Sequence, residues 1–67
     1  MKKNIKDRVY SSLAPFEMYT MATIVKMLTF EGHENPEQAF YQMVDDRQIA
    51  YTGKHSLMDN KLYQKIL

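Results

Sequence analysis

Along the chain, apolar residues recur with a helical period three times and then switch to an alternating one. In the first stretch Ile5, Val9 and Leu13 fall at i, i+4 and i+8 with Tyr10 beside them, and Asn4 stands where an N-cap belongs. The pattern predicts a helix over about 4–13. Pro15 disfavours helical backbone at Ala14, so the chain is expected to turn there and run extended through Phe16, Glu17, Met18 and Tyr19, with a short strand placed near 17–20. Thr20 then caps a second helix over about 20–30, whose Met21, Ile24, Val25 and Leu28 are spaced as one buried stripe. Gly32 supplies the left-handed residue that stops it.

The third helix, over about 35–47, carries the most start signals. Asn35 is placed as N-cap, Pro36 at the first helical position, Glu37 in the first turn and Gln38 where a capping box takes Glu or Gln. Ala39, Phe40, Met43 and Val44 give its apolar face. Beyond Gln48 the period changes: Ile49 and Tyr51 alternate with Ala50 and Thr52, as a half-buried strand over about 49–52 would. Gly53 is expected to open a turn, residues 54–60 to form a loop, and residues 61–66 to return as the second strand of an antiparallel hairpin. In that strand Leu62 and Ile66 compete with Tyr63 and Leu67 for the core, and the pattern alone leaves the inward face open.

Composition narrows the setting. Sixty-seven residues make one domain, 1–67, since a chain of this length buries only about 60% of its unfolded surface. With 45% hydrophobic and 25% charged residues the chain is expected to fold. It has no cysteine, which excludes a disulfide framework and a cysteine zinc site and places it by expectation in a reducing cytoplasm. Lys6, Asp7 and Arg8 break the apolar run an export signal would need, and no stretch approaches the length of a membrane span, so a soluble chain with no membrane partner is expected.

The net charge is +1, from nine Lys/Arg against eight Asp/Glu, which is no excess for binding nucleic acid by charge alone. Its distribution is uneven. Lys2, Lys3, Lys6 and Arg8 gather at the N-terminus and Lys54, His55, Lys61 and Lys65 in the last third, while Glu31, Glu34, Glu37, Asp45 and Asp46 occupy the middle. Catalytic patterns are absent. His33 and His55 match no metal spacing, and adjacent Asp45 and Asp46 diverge by about 100° around a helix. No nucleophile elbow, phosphate-cradling glycine loop or dinucleotide fingerprint occurs, so no enzyme, cofactor, metal or small-molecule substrate is expected.

The order helix, extended piece, helix, tight turn, helix and two-stranded hairpin resembles the winged helix-turn-helix superfamily from Ile5 to Ile66. It is carried by "YTMATIVKML", "NPEQAFYQMVDDRQIAYTG" and "KLYQKIL". Where many such domains have a glycine between the third helix and the strand, Arg47 and Gln48 stand. The resemblance implies a small α+β domain whose third helix enters the major groove of double-stranded DNA while the hairpin loop, the wing, touches backbone or minor groove. It implies a transcriptional regulator or accessory factor in DNA transactions, acting as a homodimer or beside a larger partner.

On the third helix Gln38, Tyr41, Gln42 and Asp45 lie opposite the apolar face, with Gln48 nearby. Gln38, Tyr41 and Gln42 are the candidates for base contact, because a glutamine amide can pair bidentately with adenine at about 1–3 kcal/mol of discrimination. Glu34 and Glu37 oppose this with like charge toward phosphates, and a solvated polar face explains the same residues. Lys54, His55 and Lys61 are the candidates for phosphate contact on the wing, with Thr23 and Lys26 on helix two and Lys3 and Lys6 on the N-terminal arm. Lysines that merely blunt strand edges account for the same positions. The rival function is a protein-docking module that uses the apolar pair Leu57 and Met58 at the wing tip and the acidic stretch from Glu31 to Asp46.

Overall fold

The computed structural model describes residues 4–67, which form three helices and a three-stranded antiparallel sheet. In chain order these are α1 (Ile5–Ser12), β1 (Met18–Thr20), α2 (Met21–Phe30), α3 (Pro36–Asp45), β2 (Ile49–His55) and β3 (Lys61–Lys65). Lys3, expected on the N-terminal arm, lies outside the described residues, as does Lys2.

The helices begin where cap residues stand. The Asn4 side chain accepts the Asp7 N–H at 2.9 Å and Thr20 Oγ1 accepts the Thr23 N–H at 3.3 Å, each satisfying a donor that the first turn would leave unpaired. Asn35 occupies the cap position of α3 without a side-chain cap bond; instead its own N–H donates to His33 Nδ1 at 3.1 Å. Pro36 already removes one of the donors that needed a partner there.

Two helices end in the same motif. After α2 the His33 N–H donates to the Leu28 carbonyl and the Gly32 N–H to that of Thr29, both at 3.0 Å, with Gly32 at φ 93°. After α3 the Gln48 N–H reaches the Met43 carbonyl at 2.9 Å and the Arg47 N–H that of Val44 at 3.1 Å, with Arg47 at φ 60°. Arg47 takes the left-handed position that glycine usually fills, and so α3 stops at Asp45 rather than at 47.

Two local expectations are corrected. Phe16 does not run extended: the Glu17 N–H donates to the Ala14 carbonyl at 3.4 Å and Phe16 sits at φ 66°, a turn with Pro15 in its favoured second place. Gly53 does not open the hairpin turn. It lies inside β2 at φ 82°, where the register with β3 shifts between Tyr51 and His55. There Thr52 Oγ1 donates to the Leu62 carbonyl at 2.9 Å and accepts the Lys54 N–H at 3.1 Å, standing in for ladder bonds lost at the irregularity. The turn itself spans Ser56–Asp59, closed by the Asp59 N–H on the Ser56 carbonyl at 2.9 Å.

Strand order in the sheet is β1-β3-β2, and the register aligns Tyr19, Tyr63 and Tyr51 in one row across it. Tyr63 settles the inward face of β3, because its ring meets Phe40 edge-on at 4.9 Å between centroids, whereas Leu67 is exposed. The core comprises Val9, Leu13, Ile24, Leu28, Ala39, Phe40, Met43 and Ile49, drawn from all three helices, the C-cap of α1 and the first residue of β2. Val44, Met21 and Val25 pack against it half-buried. Each large side chain fully buried here contributes about 1.5–3 kcal/mol. Tyr10 donates its hydroxyl to the Ile66 carbonyl at 2.6 Å, and Lys65 Nζ donates to the Leu13 carbonyl at 3.2 Å while lying over the Tyr10 ring. These contacts pin the base of the hairpin to α1.

Candidate functional site

The N-terminal end of α2, the middle of α3 and the hairpin meet around an open hollow of about 440 Å³. Thr20, Met21 and Ala22 form one side, Tyr41 another, and Asp59, Asn60, Lys61 and Tyr63 the third. The fold therefore brings one of the helix candidates, Tyr41, to the same hollow as one of the wing candidates, Lys61. Burial of Phe40 dictates this. With Phe40 driven into Tyr63, the next residue along the helix is rotated out toward the wing.

Tyr41 is 57% exposed, and its hydroxyl lies 3.9 Å from Met21 Sδ, a weak contact that leaves the ring face open. Gln38 is exposed on the same helix. Gln42 is exposed but engaged, because its Oε1 accepts from Lys6 Nζ at 2.8 Å. A glutamine that pairs bidentately with adenine needs that oxygen for the base's amino group, so Lys6 competes directly with such a contact. Gln48 turns away from the face, donating through Nε2 to Asp7 Oδ1 at 3.0 Å. Along α3 the exposed surface also carries Glu37 and Asp45.

On the hairpin, His55 is held at both ring nitrogens. Nδ1 is 2.8 Å from Asp59 Oδ1 and Nε2 is 2.6 Å from the Tyr51 hydroxyl, which fixes the ring between a carboxylate and a phenol. Lys61 Nζ lies 5.4 Å from the centre of the Tyr51 ring, a cation over an aromatic face. Lys54 is exposed. Among the described residues, Lys54 and Lys61 are thus the wing cations without an ion pair or side-chain hydrogen bond, Lys61 resting on the Tyr51 ring, while His55 serves the hairpin's own geometry.

Thr23 and Lys26 do not join this surface. Both line a separate cleft between α1 and α2, together with Val9, Ser12, Met27, Phe30 and Glu31. Leu57 is fully exposed and Met58 is 82% exposed, at the outermost point of the hairpin. Tyr51 and Asp59 belong to the candidate surface although their residue types carried no signal on their own. Their spacing of four from His55 means nothing until the strand register is known. Among the described residues, no group of three His, Asp or Glu side chains is placed to hold a metal ion, and no helix is long and apolar enough to cross a membrane.

No family model, curated protein or solved structure matches the chain.

Proposed function

We propose that the chain is a winged-helix module that binds double-stranded DNA, with α3 toward the major groove and the β2–β3 hairpin as the wing. The order of elements and the β1-β3-β2 sheet support the winged-helix reading. The observation that carries the functional reading is the shared hollow, where Tyr41 of α3 and Lys61 of the wing lie on one side of the molecule. A duplex laid against that side touches both elements at once. In this reading Gln38 and Tyr41 meet base edges, Lys54 and Lys61 meet phosphates, and Gln42 contributes only after releasing Lys6, which then becomes a third phosphate ligand.

The charge supply is lean. Two or three phosphate contacts give a slope of about −2 to −3 in log affinity against log salt, taking roughly −0.9 per phosphate. Glu37, Asp45 and Asp59 lie close to the same surface and subtract from it. The expected behaviour is weak binding, lost at moderate salt, with specificity supplied by more than one copy. Amide chemical shifts recorded during titration with duplex DNA at low salt test this: movement confined to residues 37–45 and 53–61 is expected, and none in those segments rejects the reading. Lys54→Ala with Lys61→Ala should weaken binding to every sequence alike and flatten the salt slope by about 2.

One observation favours a second reading, docking onto a protein. Leu57 and Met58 expose apolar surface at the wing tip, where a phosphate-touching loop gains nothing from it. That reading expects no shift of any amide with DNA.

A further inference from the structure

A duplex accounts for the rim of the hollow between α2, α3 and the hairpin but not for its lining. In paired DNA each base is covered above and below by its neighbours, and only base edges, sugars and phosphates face outward. Amides, hydroxyls and cations meet such a surface. An aromatic ring set in a hollow finds no counterpart on it, because what stacks on a ring is the flat face of a base. Two such rings are present: Tyr41, 57% exposed, forms one wall, and Tyr63, half-buried, lines the hairpin side. Met21 completes the apolar part, its sulfur 3.9 Å from the Tyr41 hydroxyl.

The polar groups beside these rings suit an unpaired nucleotide. The Asn60 side-chain amide offers donors and an acceptor, and among the described residues it has no hydrogen-bond partner; only the Asn60 backbone is used, in its bonds with Ser56. Lys61 has no ion pair among the described residues, and its ammonium lies 5.4 Å from the centre of the Tyr51 ring, which positions the charge without neutralising it. Asp59, the one acidic residue of the lining, is engaged by His55 at 2.8 Å. At about 440 Å³ the hollow falls within the range of small-ligand sites, about 300–1,000 Å³, and it has no room for a paired duplex.

We propose that the hollow takes one unpaired base of DNA, stacked on Tyr41, with its edge met by Asn60 and its phosphate by Lys61, so that the protein prefers a duplex bordered by single strand. This rests on the reading that this side of the molecule faces DNA. Every base has a π-face, so the stack tolerates any sequence, and an amide that both donates and accepts fits several base edges. Stacking of one base on an aromatic side chain changes affinity by about 5- to 150-fold. Salt screens phosphate contacts but not a stack, so the preference for unpaired DNA should persist as salt weakens binding to the duplex.

Fluorescence anisotropy of the full chain at low salt can compare a blunt duplex, the same duplex with an overhang of about four nucleotides at its 5′ or its 3′ end, and the same overhangs made abasic. At one of the two ends the overhang should bind about 5- to 150-fold tighter than the blunt duplex. The abasic overhang keeps the phosphates and should fall back toward the blunt duplex. Tyr41→Ala should abolish the preference, Tyr41→Phe should keep it, because the ring and not the hydroxyl stacks, and Asn60→Ala should reduce it. 2-Aminopurine as the first unpaired base should lose emission on binding the unmodified chain and retain it with Tyr41→Ala. Equal affinity for blunt and overhanging duplexes, full affinity for the abasic overhang, or a preference that survives Tyr41→Ala overturns the proposal and leaves the duplex reading intact. Base-dependent binding of the overhang with no binding of the blunt duplex does the reverse, removing the major-groove reading and supporting the hollow as the site. Binding to none of these DNAs overturns both.

Discussion

The helical end of the molecule and the tip of its hairpin are held together by different physics. At the helical end eight apolar side chains are buried and each helix meets the others through them; among the described residues no polar or charged residue is buried whole, although Gln48 Oε1 is shielded there. Beyond Ile49 the hairpin has no fully buried residue, and its outer half is organised by hydroxyl, imidazole and carboxylate contacts across exposed strands. The difference teaches where to look for function. Residues at the helical end are dictated by packing, so their identities say little about partners. At the tip packing dictates almost nothing, and side chains such as Leu57, Met58, Lys54 and Lys61 are free to reflect what the protein touches.

The contrast can be broken first at Phe40. It is fully buried and contacts Tyr41 and Tyr63 edge-on, so Phe40→Ala should cost about 3–5 kcal/mol, close to the whole stability of a domain of this size. Loss of the cooperative thermal transition is the expected readout, and a variant that melts normally would show that the core does not hold the fold. Next in size are the caps and the left-handed residues. Asn4→Ala should cost about 1 kcal/mol in urea titration, through the lost bond to the Asp7 N–H. Arg47→Gly should gain about 1 kcal/mol, because Arg47 holds φ 60° at a place where glycine carries no Cβ penalty. Instability of Arg47→Gly would mean that its side chain has a structural duty not evident from its exposed position.

Smaller still is the effect of Asp59→Ala, which frees one side of His55. Amide exchange at Ser56 and Asn60 should quicken while that at Ile24 and Leu28 stays as it was, because the tip opens locally without the core. Uniform acceleration would join the two regions into one cooperative unit. The smallest change is expected for Leu57→Ser, within about 0.5 kcal/mol of the unmodified chain, since the side chain is fully exposed. A larger loss would make Leu57 part of the fold and remove it as a candidate contact.

Much of the helical end is legible in the sequence. Ile5, Val9 and Leu13, then Ile24 and Leu28, then Ala39, Phe40 and Met43 repeat at helical spacing and are the residues that pack. Asn4, Thr20 and Gly32 mark boundaries through chemistry that acts within one turn of helix. The hairpin is less legible, because its structure depends on partners far apart in the chain. Gly53 signals a positive φ, but whether that φ serves a turn or an irregularity inside a strand is decided by the Thr52 hydroxyl and the Leu62 carbonyl. Arg47 and Phe16 adopt left-handed backbone that their side chains do not favour, so no local rule announces them. At the candidate surface, the engagement of Gln42 by Lys6 crosses 36 positions, and that of Gln48 by Asp7 crosses 41. Such pairings are set by how α1 lies against α3. The separation of Thr23 and Lys26 from the wing follows from the same packing.

The irregularity at Gly53 also bears on how the chain behaves when crowded. β2 is an outer strand of the sheet, and an outer strand with a long, regular row of free backbone groups is a template on which further chains can stack. The displaced register between Tyr51 and His55 interrupts that row midway, and Lys54 places a charge beside the break. The opposite edge, β1, is only three residues long. Both margins of the sheet are thereby poor seeds for fibril growth.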